Sequence, residues 1–209
     1  METKTSEFVR DPRLEAFLAS LAGALVGRTD DGLAEAVLEK IFHGLRSVRP
    51  ADRPEAQRLP VCAYLAEATA TARAHSSAIA KVVDNFVGLE PLLRWAPRAS
   101  SGPFASESWP GGHANATILG RGGLEPRDDV QIGVSLLAPR VRYPDHRHGP
   151  EEVYLVLSPG RFKHGASSWF EPGIGGSLHN EPHINHAMAS DESPLLAIWC
   201  LWSGKAPSK

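Results

Sequence analysis

Cysteine is scarce in this chain of 209 residues: Cys62 and Cys200 stand far apart, each in apolar company. That pattern argues against a disulfide framework and reads as two buried thiols in a reducing compartment. No apolar run approaches the roughly 18 residues that cross a bilayer, so no membrane-spanning helix is expected. The N-terminal METKTSEFVRDPR is charged and lacks the apolar core of a secretory signal, which makes the cytoplasm the expected location. Charge of neither sign dominates: 22 Lys and Arg against 24 Asp and Glu leave a net −2, with no basic surface to recruit nucleic acid. Internal repeats and low-complexity segments are absent. Tyrosine is also rare, yet two of the three, Tyr143 and Tyr154, fall within twelve residues of each other. What remains, 42% hydrophobic and 22% charged, is the balance of a globular protein of one large domain, or of one domain with an extension.

The two halves of the chain differ in texture. Asp11-Pro12 offers an N-cap followed by proline at the first helical position. Leu14, Phe17, Leu18, Leu21 and Leu25 then share one helical face. A second helix fits 30–46, with Leu33, Val37, Ile41 and Leu45 in register. A third starts near Pro60 and runs through CAYLAEATATARA. A fourth spans 76–95 on Ile79, Val82, Val83, Phe86 and Leu89, and stops near Pro97. These apolar faces read as core packing. From Ser100 onward glycine, proline and β-branched residues rise. Strands are predicted at 114–119, 130–138, 141–147, 152–158, 161–164, 168–171, 175–179, 183–189 and 194–202, which describes a β-sandwich or small barrel. The expectation is an α+β protein: a helical region over 1–99 packs on or caps a β-barrel over 100–209. PRASSGPFASESWPGG (97–112) would form a linker or a loop draped over the barrel. The charge clusters Arg127-Asp128-Asp129 and Asp191-Glu192 read as solvated turns.

Six of nine histidines lie between 146 and 186. His146 and His148 are separated by one residue, so on a strand both imidazoles point to one face. Gly149-Pro150 supplies a turn. Glu152 opens the next strand, and Tyr154 shares its face while Val153 and Leu155 take the other. A later strand would bring His186. His183 competes with it, but Ile184 and Met188 alternate with His186 as an inward face demands. Imidazole nitrogens and one carboxylate suit Fe, Ni, Zn, Mn or Cu, with open positions left for water or substrate.

His146-x-His148-x-x-x-Glu152 resembles the first motif of the cupin superfamily, and GGSLHNEPHINHAM, ending near His186, resembles a divergent second motif. The spacing from Glu152 to Gly160 is one residue longer than the usual pattern, and Pro182 stands four residues before His186. Tyr143, Tyr154, the Trp169-to-Gly173 segment and the helical N-terminal half extend the resemblance to the cupin-type dimethylsulfoniopropionate (DMSP) lyases, the DddQ group in particular. It implies an antiparallel cupin barrel (jelly roll) and a carbon–sulfur lyase of the dimethylpropiothetin dethiomethylase type. It further implies one divalent transition metal (Fe, Zn, Mn or Ni) held by His148, Glu152 and His186, with His146 and Tyr154 in the same shell. Whether His146 binds the ion directly stays open.

The implied reaction is β-elimination of DMSP to dimethyl sulfide and acrylate, without an organic cofactor. The proton to be removed sits beside a carboxylate and is weakly acidic, so a metal on that carboxylate and a nearby base are required. Tyr154 faces the metal by strand alternation and is the expected base. Tyr143 is expected to orient substrate or assist proton transfer. The sulfonium would favour an aromatic face of Trp169, Trp199 or Trp202, though alternation forbids Trp199 and Trp202 from both facing inward without a bulge. The expected partner is the small molecule alone, with no nucleic acid and no membrane, and the chain acts as a monomer or homodimer. Alternatives are another cupin metalloenzyme, such as an iron dioxygenase of a small acid or thiol, and a non-catalytic small-ligand-binding cupin.

Overall fold

Asp11 starts the fold as expected: its carboxylate accepts the Arg13 amide at 2.9 Å, and Pro12 follows in the first turn of α1 (Pro12–Leu25). The computed structural model describes residues 8–29, 31–98 and 102–204. Helix α2 (Gly32–Gly44) is capped by Asp31, which accepts the amides of Leu33 and Ala34. It is shorter than the predicted 30–46, and Asp30 lies outside the described residues. Val37, Ile41 and Leu45 are buried as expected, but Leu33, placed on the same face by the sequence, is 59% exposed, and Ala34 and Leu38 complete the buried face. The segment from Pro60 opens as a 3₁₀ turn (Pro60–Tyr64) and becomes α3 (Leu65–Arg73). Helix α4 (Ser77–Leu89) ends well before 95, because Pro91 cannot donate to the helical ladder and its ring crowds the preceding turn. A second 3₁₀ turn follows (Glu90–Leu92).

Within the span expected to be helical, Trp95–Ala96 then forms strand β1 and pairs with the sheet. After a one-turn helix α5 (Trp109–Gly112) come β2 (His113–Leu119), β3 (Val130–Leu137), β4 (Glu151–Val156), β5 (Arg161–His164), β6 (Ser177–Asn180), β7 (His186–Ala189) and β8 (Leu195–Trp202). A six-stranded sheet of order β1-β2-β3-β8-β4-β6 is antiparallel throughout, and β5 pairs with β7 in a second, two-stranded sheet. The predicted strand at 141–147 reduces to two bridges, Arg142 with Ala189 and His146 with His186. Pro144 and Pro150 lack the N–H a longer ladder needs. The predicted strand at 168–171 reduces to a bridge between Phe170 and Phe162.

Alternation divides the large sheet. On one face Ala116, Val134, Ile198 and Val153 join Phe17, Leu38, Ile41 and Phe86 of the helices in a continuous core. Fully burying each of the Val, Leu, Ile and Phe side chains contributes about 1.5–3 kcal/mol. On the other face Tyr154 and Trp199 meet Tyr143, Phe162 and Met188 in a second cluster, and this face holds the site. The helices therefore back the sheet and leave its inner surface to chemistry.

Of the Arg127-Asp128-Asp129 cluster only Asp128 is solvated as expected; Arg127 and Asp129 are buried. The Arg127 side chain is 1% exposed; it donates to Gly44 and Ser47 carbonyls at the end of α2, and to Glu125 and Asp129. Arg10 donates to Glu125 at 2.6 Å and to the Leu45 carbonyl at 2.7 Å. This network ties the C-terminal carbonyls of α2 to the loop between β2 and β3, which supplies the orphan acceptors of a helix end with cationic donors.

Candidate metal centre and active site

His146 and His186 exchange both backbone hydrogen bonds, at 3.0 and 2.8 Å, and this bridge brings the two histidine-bearing segments together. All three histidines are fixed in the same way. Nδ1 of His146 faces the Pro144 carbonyl at 2.9 Å, Nδ1 of His148 the Pro150 carbonyl at 2.9 Å, and Nδ1 of His186 the Ile184 carbonyl at 3.0 Å. A carbonyl only accepts, so each Nδ1 carries a proton and Nε2 is the nitrogen each ring can offer to a cation. Nε2 of His148 and of His186 lie 3.4 and 3.2 Å from Oε2 of Glu152, and the three donor atoms sit within 4.8 Å of one another. His186 Nε2 is buried and, despite its nearness to Oε2, makes no hydrogen bond. With the proton on Nδ1, two acceptors face each other there, and only a proton or a cation between them removes the repulsion. Two imidazole nitrogens and a carboxylate oxygen are a suitable donor set for a divalent transition metal. His146 stands beside this trio, its ring centroid 4.1 Å from that of His186, but its nitrogen is not among the converging atoms. Tyr154 is adjacent too, two residues along β4 from Glu152 and in the same cavity wall. His183 is excluded from the group: it turns at φ 63° and packs against Gly149.

The supports extend outward. Asn180, the register partner of Glu152, donates to its Oε2 at 2.9 Å, and Oδ1 of Asn180 lies 3.1 Å from His164 Nδ1. His179 points to the opposite side of β6 and meets Glu151 at 3.2 Å. Burial pushes the Glu152 carboxyl up, but the close approach and charge of His148 and His186 outweigh it and hold Glu152 below the ordinary carboxylate range. Burial pushes His148 down, and the hydrogen bond and charge of Glu152 reverse this and raise it. Burial, with the charges of His186 and Arg98, lowers His146 to about 3. Tyr154 is pushed well above its usual value by burial and then by the charge of Glu152.

The trio opens on a cavity of about 140 Å³ whose walls include both buried tyrosines, Trp199 and Arg98. Oη of Tyr143 accepts from Asn115 Nδ2 at 2.9 Å, and Asn115 Oδ1 accepts from Ser135 at 2.7 Å. Of the three tryptophans expected near the sulfonium, one is here. Trp199 pairs with Tyr154 on one side and with Gly133 on the other. A Cβ on Gly133 would sit 2.1 Å from the indole, so the absent side chain makes room for the ring. Trp202 pairs with Glu151 and lies on the opposite face, against Gly44 of α2. Trp169 lies outside the cavity, with the guanidinium carbons of Arg142 and Arg161 at 5.3 and 5.6 Å from its ring centroid. Its neighbour Phe170 takes the inward side.

Four residues that line or support the site escaped sequence reasoning: Arg98, Asn115, Ser135 and Asn180. Alternation along β2 and β3 could have found Asn115 and Ser135, register partners on the tyrosine side. Arg98 lies in a stretch with no periodicity at all.

A family model described as dimethylsulfoniopropionate lyase matches residues 34–197. Solved structures resemble the whole fold. One, from the crystal structures of the DMSP lyases RdDddP and RnDddQII, is 21% identical with a TM-score of 0.68, covering 94% of this chain and 96% of that one. Another, the DMSP lyase DddQ from Ruegeria pomeroyi DSS-3, is 19% identical with a TM-score of 0.69, covering 95% and 96%. The α+β architecture is thus of the cupin type. No curated protein sequence matches.

Proposed function

The chain belongs to the dimethylsulfoniopropionate lyase family and is a carbon–sulfur lyase, and on that premise we propose that it cleaves DMSP by a metal-supported β-elimination with a tyrosine base. The observation that carries the reading is the trio itself: two imidazoles with Nδ1 fixed by carbonyls and Nε2 turned to a buried carboxylate, beside a small cavity walled by two buried tyrosines. His148, Glu152 and His186 would hold the cation, with His146 adjacent. When bound, a divalent cation supplies Lewis acidity toward the substrate carboxylate and an opposite charge that offsets Glu152 and favours the Tyr154 phenolate.

The residues then divide the work. Oη of Tyr154 takes the proton from the carbon beside the carboxylate. The electron pair of that C–H bond forms the carbon–carbon double bond, and the β-carbon–sulfur bond breaks with its pair staying on sulfur. Dimethyl sulfide and acrylate result, with the proton on tyrosine, and no oxidant is consumed. Tyr143, aimed by Asn115 and Ser135, orients the substrate. Trp199 offers the sulfonium an aromatic face, a contact of about 0.5–2 kcal/mol. Burial of Tyr154, Glu152 and His186 keeps bulk water from the reacting carbon.

The test is direct. Protein loaded separately with several divalent metals is sealed with DMSP, and the headspace is analysed for dimethyl sulfide. Release that depends on metal and proceeds without O₂ is expected. No release with any metal ends this reading.

A further inference from the structure

Arg98 has no part in the chemistry above, yet the fold invests several buried groups in placing it. Its backbone N–H donates to His113 Nε2 at 2.9 Å. His113, 2% exposed, donates its Nδ1–H to the Trp109 carbonyl and stacks on the Trp109 indole at 4.2 Å between centroids and 7° between planes. Burial pushes His113 below its usual value, so the ring stays neutral and keeps the lone pair that holds the Arg98 amide. From that anchor the guanidinium enters the cavity wall. Its carbon stands 5.8 Å from the Tyr143 ring centroid; burial raises the Tyr143 phenol, and the nearby guanidinium opposes that rise. Its charge reaches His146, His148 and Tyr154 as well.

We infer that Arg98 is the residue that selects and orients a carboxylate ligand in this cavity, by a charge-assisted contact made beside Tyr143. A cavity of about 140 Å³ leaves little space for a ligand to choose its own orientation. A guanidinium in the wall attracts the carboxylate end of a zwitterion and repels the sulfonium end by like charge. The Tyr143 face already carries the Arg98 cation, so the sulfonium turns to Trp199. The assignment rests on the lyase reading for the identity of its substrate, but the carboxylate class follows from the charge of the wall.

Binding, not turnover, tests it. Calorimetry on the protein as purified, with metal content measured, compares propionate, which keeps the carboxylate, with trimethylsulfonium, which keeps the cation. Arg98→Gln should weaken propionate by roughly ten- to a hundred-fold, the usual weight of a hydrogen bond to a charged group, and leave trimethylsulfonium unchanged or tighter. Arg98→Lys should fall between wild type and Arg98→Gln, since it restores the charge without the planar fork. Melting curves verify that both variants fold. Propionate affinity in Arg98→Gln within two-fold of wild type, equal loss of both ligands, or no propionate binding by wild type would each overturn the inference. A wild type that releases no dimethyl sulfide but shows the selective propionate loss would remove the lyase reading and leave Arg98 in place.

Discussion

Gly133→Ala adds one methyl group, and the structure states where it goes. The new Cβ would lie 2.1 and 2.3 Å from two atoms of the Trp199 ring and 2.6 Å from the Ala116 carbonyl oxygen. Comfortable carbon–carbon contact begins near 3.5 Å, so the ring must retreat by more than an ångström. Behind it is the sheet, and ahead is the cavity it lines. The β2 backbone cannot move as freely, because β2 is paired along most of its length with β3. Forcing an extra carbon into a packed site costs about 1–3 kcal/mol. At roughly 2–4 °C per kcal/mol for a chain of this size, the melting temperature should fall by about 2–12 °C. The indole should at the same time occupy ligand space, so KM rises more than kcat falls while bound metal stays stoichiometric. Melting, metal content and initial rates read the three quantities separately. An alanine variant with wild-type melting and wild-type KM would falsify the claim that glycine is there to admit the ring.

Other outcomes follow from the same geometry. Tyr154→Phe should keep its metal and lose about 10²–10⁴ of turnover, the usual contribution of a positioned base; near-full activity would remove Tyr154 from that role. In the metal-free protein His148 sits above its usual value, so it is protonated at mildly acidic pH and a cation must displace that proton, whereas His146, lowered to about 3, is already neutral. Metal affinity should therefore fall about tenfold per pH unit as the pH drops below the His148 value, and replacing His148, but not His146, should flatten a calorimetric affinity-against-pH series. Arg127→Met leaves Glu125 and Asp129 buried with less compensation and should cost about 3–5 kcal/mol in a denaturant titration; a loss below about 1 kcal/mol would refute the view that this network holds α2 to the sheet.

The helical positions were legible because capping and apolar spacing act locally: Asp11, Asp31 and Ser76 all cap where a side-chain oxygen precedes a periodic run. The convergence of His148, Glu152 and His186 was also legible, though for a partly different reason than strand alternation. His146 and His148 do not lie on a strand. Prolines interrupt the ladder, and a single bridge to His186 with carbonyl contacts to each Nδ1 aims the rings. Alternation did sort Trp199 from Trp202, but it could not say which faced the cavity until the register with Tyr154 and Gly133 was known. Trp169 and Arg98 were beyond reach for one reason. Each is placed by contacts outside its own segment, with Arg142 and Arg161 for one and His113 for the other, and no local pattern encodes those.

The scarcity of tyrosine has an optical consequence. Tyr64 is 38% exposed on a 3₁₀ turn, and the other two, Tyr143 and Tyr154, wall the cavity. A phenolate absorbs at longer wavelength than a phenol, so any ionisation provoked by adding metal or ligand at neutral pH has only two candidate sources near the site and one solvent-facing reference. Replacing Tyr64 by phenylalanine leaves a protein whose entire tyrosine spectrum comes from the walls of this one cavity. The chain is thus its own indicator dye, and the protonation of its cavity can be followed without a label.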